Sequence, residues 1–249
     1  MVARGKTCYT DCVKAITYYS YDDIRLENRS VPAITSQELL VKVHGCGLCG
    51  SDILKIARQA APPVILGHEL TGTVVERGRD VSTFEIGQRV VVAHHVPCGN
   101  CHYCLHGNPS MCASFKASNL DPCGFAGYIR VSAAHVQHTT LPLPETLSDE
   151  EGSFVEPLAC CVRAVSRTPL SPGDSVVVVG LGSIGLLMLQ ALKAIHRRST
   201  RAGASSAPGA EVMAREAEVM AHEARAGAST EPEASTEPGA EVMAREARA

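Results

Sequence analysis

Ser175–Ile195 reads SVVVVGLGSIGLLMLQALKAI. Four consecutive valines, Val176–Val179, have the composition of a buried strand in a parallel sheet. They lead into Gly180-Leu181-Gly182-Ser183-Ile184-Gly185. Beyond it, Ile184, Leu187, Met188, Ala191 and Ile195 recur at the spacing of one helix face. Strand, glycines and helix in that order are the setting in which GxGxxG binds a dinucleotide. Gly180 permits the tight turn and Gly182 lets backbone N–H groups approach a pyrophosphate. Gly185 allows helix and strand to pack closely, and the helix N-terminus favours the anion. A plain glycine turn in a parallel α/β unit is the competing reading. An acidic residue about 20 positions further on would hold the ribose. That window, Arg201–Ser206 (RAGASS), contains none, and no strand leads into it.

The composition breaks near Ala194. From His196 to Ala249 there is no Leu, Ile, Phe, Tyr, Cys or Lys. PGAEVMAREA occurs at Pro208–Ala217 and again at Pro238–Ala247. Such a repeat carries too little apolar surface to offset the entropy of ordering. A disordered tail is therefore expected over 196–249. Its seven Arg and nine Glu give a net charge of 7 − 9 = −2, out of −3 for the whole chain of 249 residues.

Towards the N-terminus, Val13–Tyr19, Glu38–Val43, Leu70–Glu76, Arg89–Ala93 and Gly127–Val131 are β-rich runs bounded by turn residues. They predict a mostly β domain over residues 1–150. Ser148–Ser166 then reads as a helix, with Asp149, Glu150 and Glu151 in its first turn. Ser171-Pro172-Gly173-Asp174 is a turn. The organisation expected is thus a β domain (1–150), a linking helix with the first βα unit of a nucleotide-binding domain (151–195), and the tail (196–249).

Eleven cysteines are present. Cys98-x2-Cys101-x2-Cys104-x7-Cys112 places four thiols where they can wrap one tetrahedral ion, and a closed four-cysteine site is structural zinc chemistry. An iron–sulfur cluster and free or disulfide-bonded cysteines are the alternatives. The bacterial ferredoxin run has its fourth cysteine three residues on and followed by Pro, unlike this one. A second constellation is dispersed. Cys49 sits in a glycine-flanked turn, His68 and Glu69 begin a β run, and Glu156 lies in an otherwise apolar helical stretch. Cys, His and Glu from separate elements suit a catalytic zinc with an open position. Taken singly, each is an ordinary core cysteine, strand end or first-turn acid.

With 45% apolar and 20% charged residues, a sizeable core is available. The near-neutral balance argues against a nucleic-acid partner. No apolar run reaches the roughly 18 residues of a membrane span. Met1–Lys14 lacks the apolar core of a secretory signal, so a reducing, cytoplasmic location is expected.

Together, GLCGSD, GHE, the four-cysteine lobe, VEPLA and VVVVGLGSIG resemble, in order and spacing, the zinc-dependent medium-chain alcohol and polyol dehydrogenases. The resemblance covers about residues 13–195. It implies a GroES-like β catalytic domain joined to a Rossmann domain, here incomplete, and a hydride transfer from a polyol or secondary alcohol to NAD or NADP. Cys49, His68 and Glu156 would be catalytic zinc ligands, with Glu69 a fourth ligand or close to the metal. Glutamate in VEPLA is similar to the sorbitol and threonine dehydrogenase branch. Cys98, Cys101, Cys104 and Cys112 would hold a second, structural zinc. Ser51 would relay the substrate proton, and Gly180, Gly182 and Gly185 would face the cofactor. Cys46 gains no role. Cys8, Cys12, Cys123, Cys160 and Cys161 are expected to be small apolar fillers, and His94 and His95 loop residues beside the lobe.

Three departures stand out. Leu54 replaces a histidine common in the family's proton relay, and Gly127 replaces an acidic residue. The tail stands where the family completes its six-stranded sheet. The expectation is a C-terminally truncated dehydrogenase, and the homo-oligomers of the full-length family are not expected to carry over. The alternative is a non-catalytic zinc-binding domain or a truncated, pseudogene-like product.

Overall fold

A computed structural model describes residues 12–58, 62–171 and 173–202. The chain divides into two compact units, residues 1–163 and 164–249.

The first unit is built on two antiparallel sheets. One has the order β2-β1-β4, from β1 (Cys12–Ser20), β2 (Asp23–Ser30) and β4 (Val64–Ile65). The other has the order β7-β3-β5-β6-β8, from β3 (Leu39–Gly47), β5 (Glu69–Arg77), β6 (Arg89–Val92), β7 (Tyr128–Val131) and β8 (Thr140–Pro142). All five β runs expected from the sequence are strands. Val13 and Ala15 in β1 and Ile129 and Val131 in β7 alternate inward, whereas Leu39–Val41 in β3 and Val90–Val92 in β6 are buried over consecutive residues. Leu70, Val74, Phe84 and Leu120 complete that core. β2 is an addition. Its sequence DIRLENRS alternates charges with the exposed Ile24 and Leu26, as an edge strand does.

The β3–β5 ladder positions the site. Leu39 pairs with Arg77 at one end and Gly47 with Glu69 at the other. The residues just beyond the second end, Cys49 after β3 and His68 before β5, are thereby brought together. α1 (Gly50–Ala57) starts there, capped by Cys49.

The expected helix over Ser148–Ser166 is two helices, α5 (Asp149–Ser153) and α6 (Val155–Arg167), which is a correction. Pro157 has no N–H to donate to the Ser153 carbonyl, so the first helix stops and a second begins with proline in its first turn. Ser148 and Glu151 form a reciprocal capping box on α5. Asp149 then ties α5 to the sheet, accepting from Arg89 Nη2 at 2.8 Å and pairing with His44 Nδ1 at 2.9 Å.

Within the second unit, Ser171 and Asp174 form the expected turn, with Ser171 N–H donating to Asp174 Oδ2 at 2.6 Å. The expected strand Ser175–Val179 is not formed. A strand needs a ladder partner, and none is present among the described residues, so Val177 and Val179 stand exposed. α7 (Ser183–Ala202) follows as expected but continues seven residues past Ile195. Three Arg and an Ala there favour helix. The rest of the expected disordered tail, residues 203–249, and Cys8 lie outside the described residues. Among the described residues no helix is long and apolar enough to cross a membrane.

Candidate metal centres and cofactor turn

The four-cysteine lobe is assembled by short elements: α2 (His102–Leu105), a 3-10 turn at Pro109–Met111 and α3 (Ala113–Ala117). Cys98 Sγ lies 4.0 Å from Cys104 and 3.5 Å from Cys112, and Cys101 lies 3.6 Å from Cys104. Four sulfurs around one zinc at about 2.3 Å would be separated by about 3.8 Å. The cage therefore has the size of a tetrahedral zinc–thiolate site, and its cysteines are free rather than disulfide-bonded. Backbone N–H groups of Cys98 and Phe115 hold the Cys112 thiol down at about 6, which favours the thiolate that a metal requires.

At the end of the β3–β5 ladder, ligand atoms of Cys49, His68 and Glu69 lie within 4.8 Å of one another. A thiolate, an imidazole and a carboxylate from separate elements suit zinc with an open position. The strand ends meet closely because residue 47 is glycine: a Cβ there would strike Glu69 Oε2. Ser51, in the first turn of α1, places Oγ 3.4 Å from His68 Nε2.

Asp52 organises this corner. Its side chain is fully buried. Oδ1 accepts from Gly67 N–H and lies 3.4 Å from His68 Nδ1, while Oδ2 accepts from Cys49 N–H at 3.3 Å. One carboxylate thus orients two of the three donor residues and leaves His68 Nε2 facing Ser51. Burial pushes the Asp52 carboxyl up, but His68 and the two backbone donors more than reverse this, leaving it below the ordinary value. The Asp52 hydrogen bond raises His68 to about 9, against the effect of burial.

Glu156 is not part of the mutually close group. It lies in the first turn of α6, half-buried, where burial raises its carboxyl and His68 and Glu69 both act on it. Cys160, one turn further on, is exposed rather than a core filler and lies 3.8 Å from Glu156 Oε1. Cys123 and Cys161 are buried fillers as expected, whereas Cys12 is exposed.

Sequence reasoning missed two residues. Asp52 sits three positions after Cys49, the N3 place of a capping box, which is a readable signal. His94 is not merely a loop residue: its ring centroid is 4.5 Å from that of His68. Burial drives the His94 imidazole down to about 3, with help from its His neighbours. His95 does sit beside the lobe, its Nδ1 2.6 Å from Ser118 O and its ring 4.8 Å from Phe115.

In the second unit, Gly180 adopts φ 93°, and a Cβ on Gly185 would collide with the Gly180 carbonyl. Gly180 thus holds a conformation that favours glycine, and Gly185 packs against the turn itself and not against a strand, since none is formed at 175–179. A Cβ at Gly182 would meet open space, the side from which a pyrophosphate approaches in the fingerprint.

Comparisons with known proteins place the chain among dehydrogenases. Residues 35–145 match the alcohol dehydrogenase GroES-like domain. The chain is 33% identical over 190 residues to sorbitol dehydrogenase of Bacillus subtilis (strain 168), covering 73% of this chain and 53% of that protein. It is similar to the structure of a zinc-binding dehydrogenase from Sinorhizobium meliloti 1021 bound to NADP, with TM-score 0.65, 34% identity, and 74% and 53% of the two chains covered. It is also similar to the structure of galactitol-1-phosphate dehydrogenase from Escherichia coli, with TM-score 0.64, 32% identity, and 73% and 52% covered. The chain spans about half the length of the curated relatives it matches. With its GroES-like β domain, its two metal-type clusters and these relatives, the chain belongs to the zinc-dependent medium-chain alcohol and polyol dehydrogenase family.

Proposed function

We propose that this protein is a zinc-dependent oxidoreductase that moves a hydride from a polyol or secondary alcohol to NAD or NADP. The observation that carries the reading is the convergence of Cys49, His68 and Glu69 beside the Ser51 hydroxyl. These three residues, with Glu156 close by on α6, would hold a catalytic zinc, which supplies Lewis acidity to the substrate oxygen. Gly180, Gly182 and Gly185 would face the dinucleotide, which supplies the hydride acceptor.

This chain's own groups then divide the work. Ser51 Oγ takes the hydroxyl proton, since it is the hydroxyl nearest the donor cluster. Asp52 keeps His68 in one tautomer and one orientation. Leu54 offers no proton carrier and is exposed, so the proton passes from Ser51 to water. His94 contributes a neutral ring that packs against His68 and narrows water access. Cys98, Cys101, Cys104 and Cys112 would bind the structural zinc. The partner is a small molecule; no nucleic-acid or membrane partner is proposed, and the location proposed is cytoplasmic.

The test is metal analysis of the purified chain, then nicotinamide reduction with a panel of sugar alcohols and secondary alcohols. Two zinc ions per chain and turnover abolished by Ser51→Ala and Cys49→Ala would support the reading. A second reading, a zinc-binding domain without catalysis, is favoured by the run Val176–Val179, which has no strand partner among the described residues, because a dinucleotide lies across the switch point of a complete sheet. Two zinc ions per chain with no NAD or NADP binding by calorimetry would select it.

A further inference from the structure

We propose that Lys55 is a specificity residue of the dispersed metal site, holding the phosphate of a phosphorylated polyol whose reacting hydroxyl lies at Ser51. The inference rests on the polyol dehydrogenase reading above and adds the substrate class.

Lys55 follows Ser51 by four residues on α1, so both side chains leave the same face of the helix, their Cβ atoms about 6 Å apart. That face looks onto the donor cluster, because Ser51 Oγ reaches His68 Nε2 at 3.4 Å. The helix is anchored at this point: Tyr18 Oη donates to the Ile56 carbonyl at 3.1 Å, and Arg58 N–H donates to the Leu54 carbonyl at 2.9 Å. The lysine stem thus starts from a fixed position one turn from the reacting end. Its head is exposed, and among the described residues no carboxylate lies within ion-pair distance of it.

The surrounding charges give the lysine a selective role. Asp52, Glu69 and Glu156 place carboxylates at the metal end, which repel an anion bound there. Lys55 is the basic residue within α1, with Arg58 beyond it at the C-cap, so an anionic group is favoured at that end of the substrate and disfavoured at the other. Lysine binds phosphate as a compact point charge, and a charge-assisted contact is about twice as strong as a neutral one. A plain sugar alcohol offers Lys55 only hydroxyls. The phosphorylated substrate is expected to bind about tenfold more tightly at low salt, with the advantage shrinking as ionic strength rises.

The test uses the full chain with Zn2+ kept in the four-cysteine lobe and Co2+ in the Cys49-containing site, so that the visible absorption reports occupancy of that site alone. Sorbitol and sorbitol 6-phosphate are titrated separately, following the cobalt bands and, for the second, paramagnetic broadening of its phosphorus resonance. The expected result is tighter binding of the phosphate and a broadened phosphorus line. Lys55→Met should bring the ratio of the two dissociation constants to about one, and Lys55→Arg should keep most of it. Equal binding of both ligands to the unaltered chain overturns the proposal. So does a Lys55→Met variant that weakens cobalt binding but keeps the phosphate preference, since Lys55 would then only balance the acids. If Co2+ never enters the Cys49 site, the dehydrogenase reading falls and this one with it.

Discussion

Asp52→Asn should uncouple the dispersed metal site while leaving the four-cysteine lobe intact. The aspartate is fully buried, and its two oxygens face three donors: Gly67 N–H, Cys49 N–H and His68 Nδ1. Asparagine keeps the shape but has one acceptor oxygen. If that oxygen stays with Gly67 and His68, the new NH2 group points at Cys49 N–H, donor against donor. If it flips, His68 Nδ1 loses its acceptor, and the ring is free to turn away from the cluster. Loss of an outer carboxylate of this kind weakens metal binding roughly 10- to 100-fold. The contacts here, at 3.3–3.4 Å, are long for hydrogen bonds, which argues for the lower end. A loss of about 10- to 30-fold, or about 1.4–2 kcal/mol, is expected at this site. The assay is competition for zinc between the protein and a chromophoric chelator, which resolves two classes of site. The lobe is the internal reference. The reasoning is refuted if both classes keep their affinity within twofold. It is refuted equally if both weaken together, because Asp52 would then be supporting the fold and not the metal corner.

Three further outcomes follow from the same structure. Gly47→Ala would drive a methyl group into Glu69 Oε2 and displace that carboxylate, so zinc affinity should fall about tenfold at the dispersed site alone, read by the same competition. Cys112→Ser, or chelation of the lobe zinc, should open the segment 98–112 to limited proteolysis while the β3–β5 ladder stays protected from hydrogen exchange, since metal and local folding are linked there. Burial pushes the Asp149 carboxyl up, but Arg89 and His44 more than reverse this and hold it below its ordinary value. Its contribution is therefore complete above the unfolded value of about 3.9 and is lost as pH falls through the lower folded value. Asp149→Asn should cost about 1–2 kcal/mol in urea unfolding at pH 7, a partly exposed pair being screened, and almost nothing under strongly acidic conditions.

The parts that were legible in the sequence are those whose signal is local. The lobe could be read from its spacing alone because all four ligands lie within one short segment. The five strands could be read because each is a short β-rich run bounded by turn residues, alternating inward and outward in β1 and β7 and buried over consecutive residues in β3, β5 and β6. β2 could not, since an edge strand facing water needs no apolar face, and DIRLENRS has the composition of a loop. The dispersed site was readable only through family resemblance. What assembles it is register: Gly47 pairs with Glu69, and Leu70 pairs with Val92. The second pairing carries a consequence that composition could not supply. Counting two residues outward from Leu70 and Val92 along antiparallel strands arrives at His68 and His94, whose rings are in contact.

The same logic explains the one strand that was expected and is absent. SVVVV has the strongest β composition in the chain, yet β propensity measures how well a residue fits a half-buried pleated surface made by its neighbours. Leu39–Val43 becomes strand because Arg77–Thr73 and Val131–Tyr128 lie on either side of it. Val176–Val179 has no such flanks among the described residues, and its valines are left facing water. The glycine turn beside it still forms, since φ at Gly180 and the close approach of Gly185 depend only on residues within the turn. A glycine turn can therefore take its local geometry while no sheet forms beside it among the described residues. For that reason nicotinamide binding, and not zinc content, is the measurement that separates an oxidoreductase from a zinc-binding domain here.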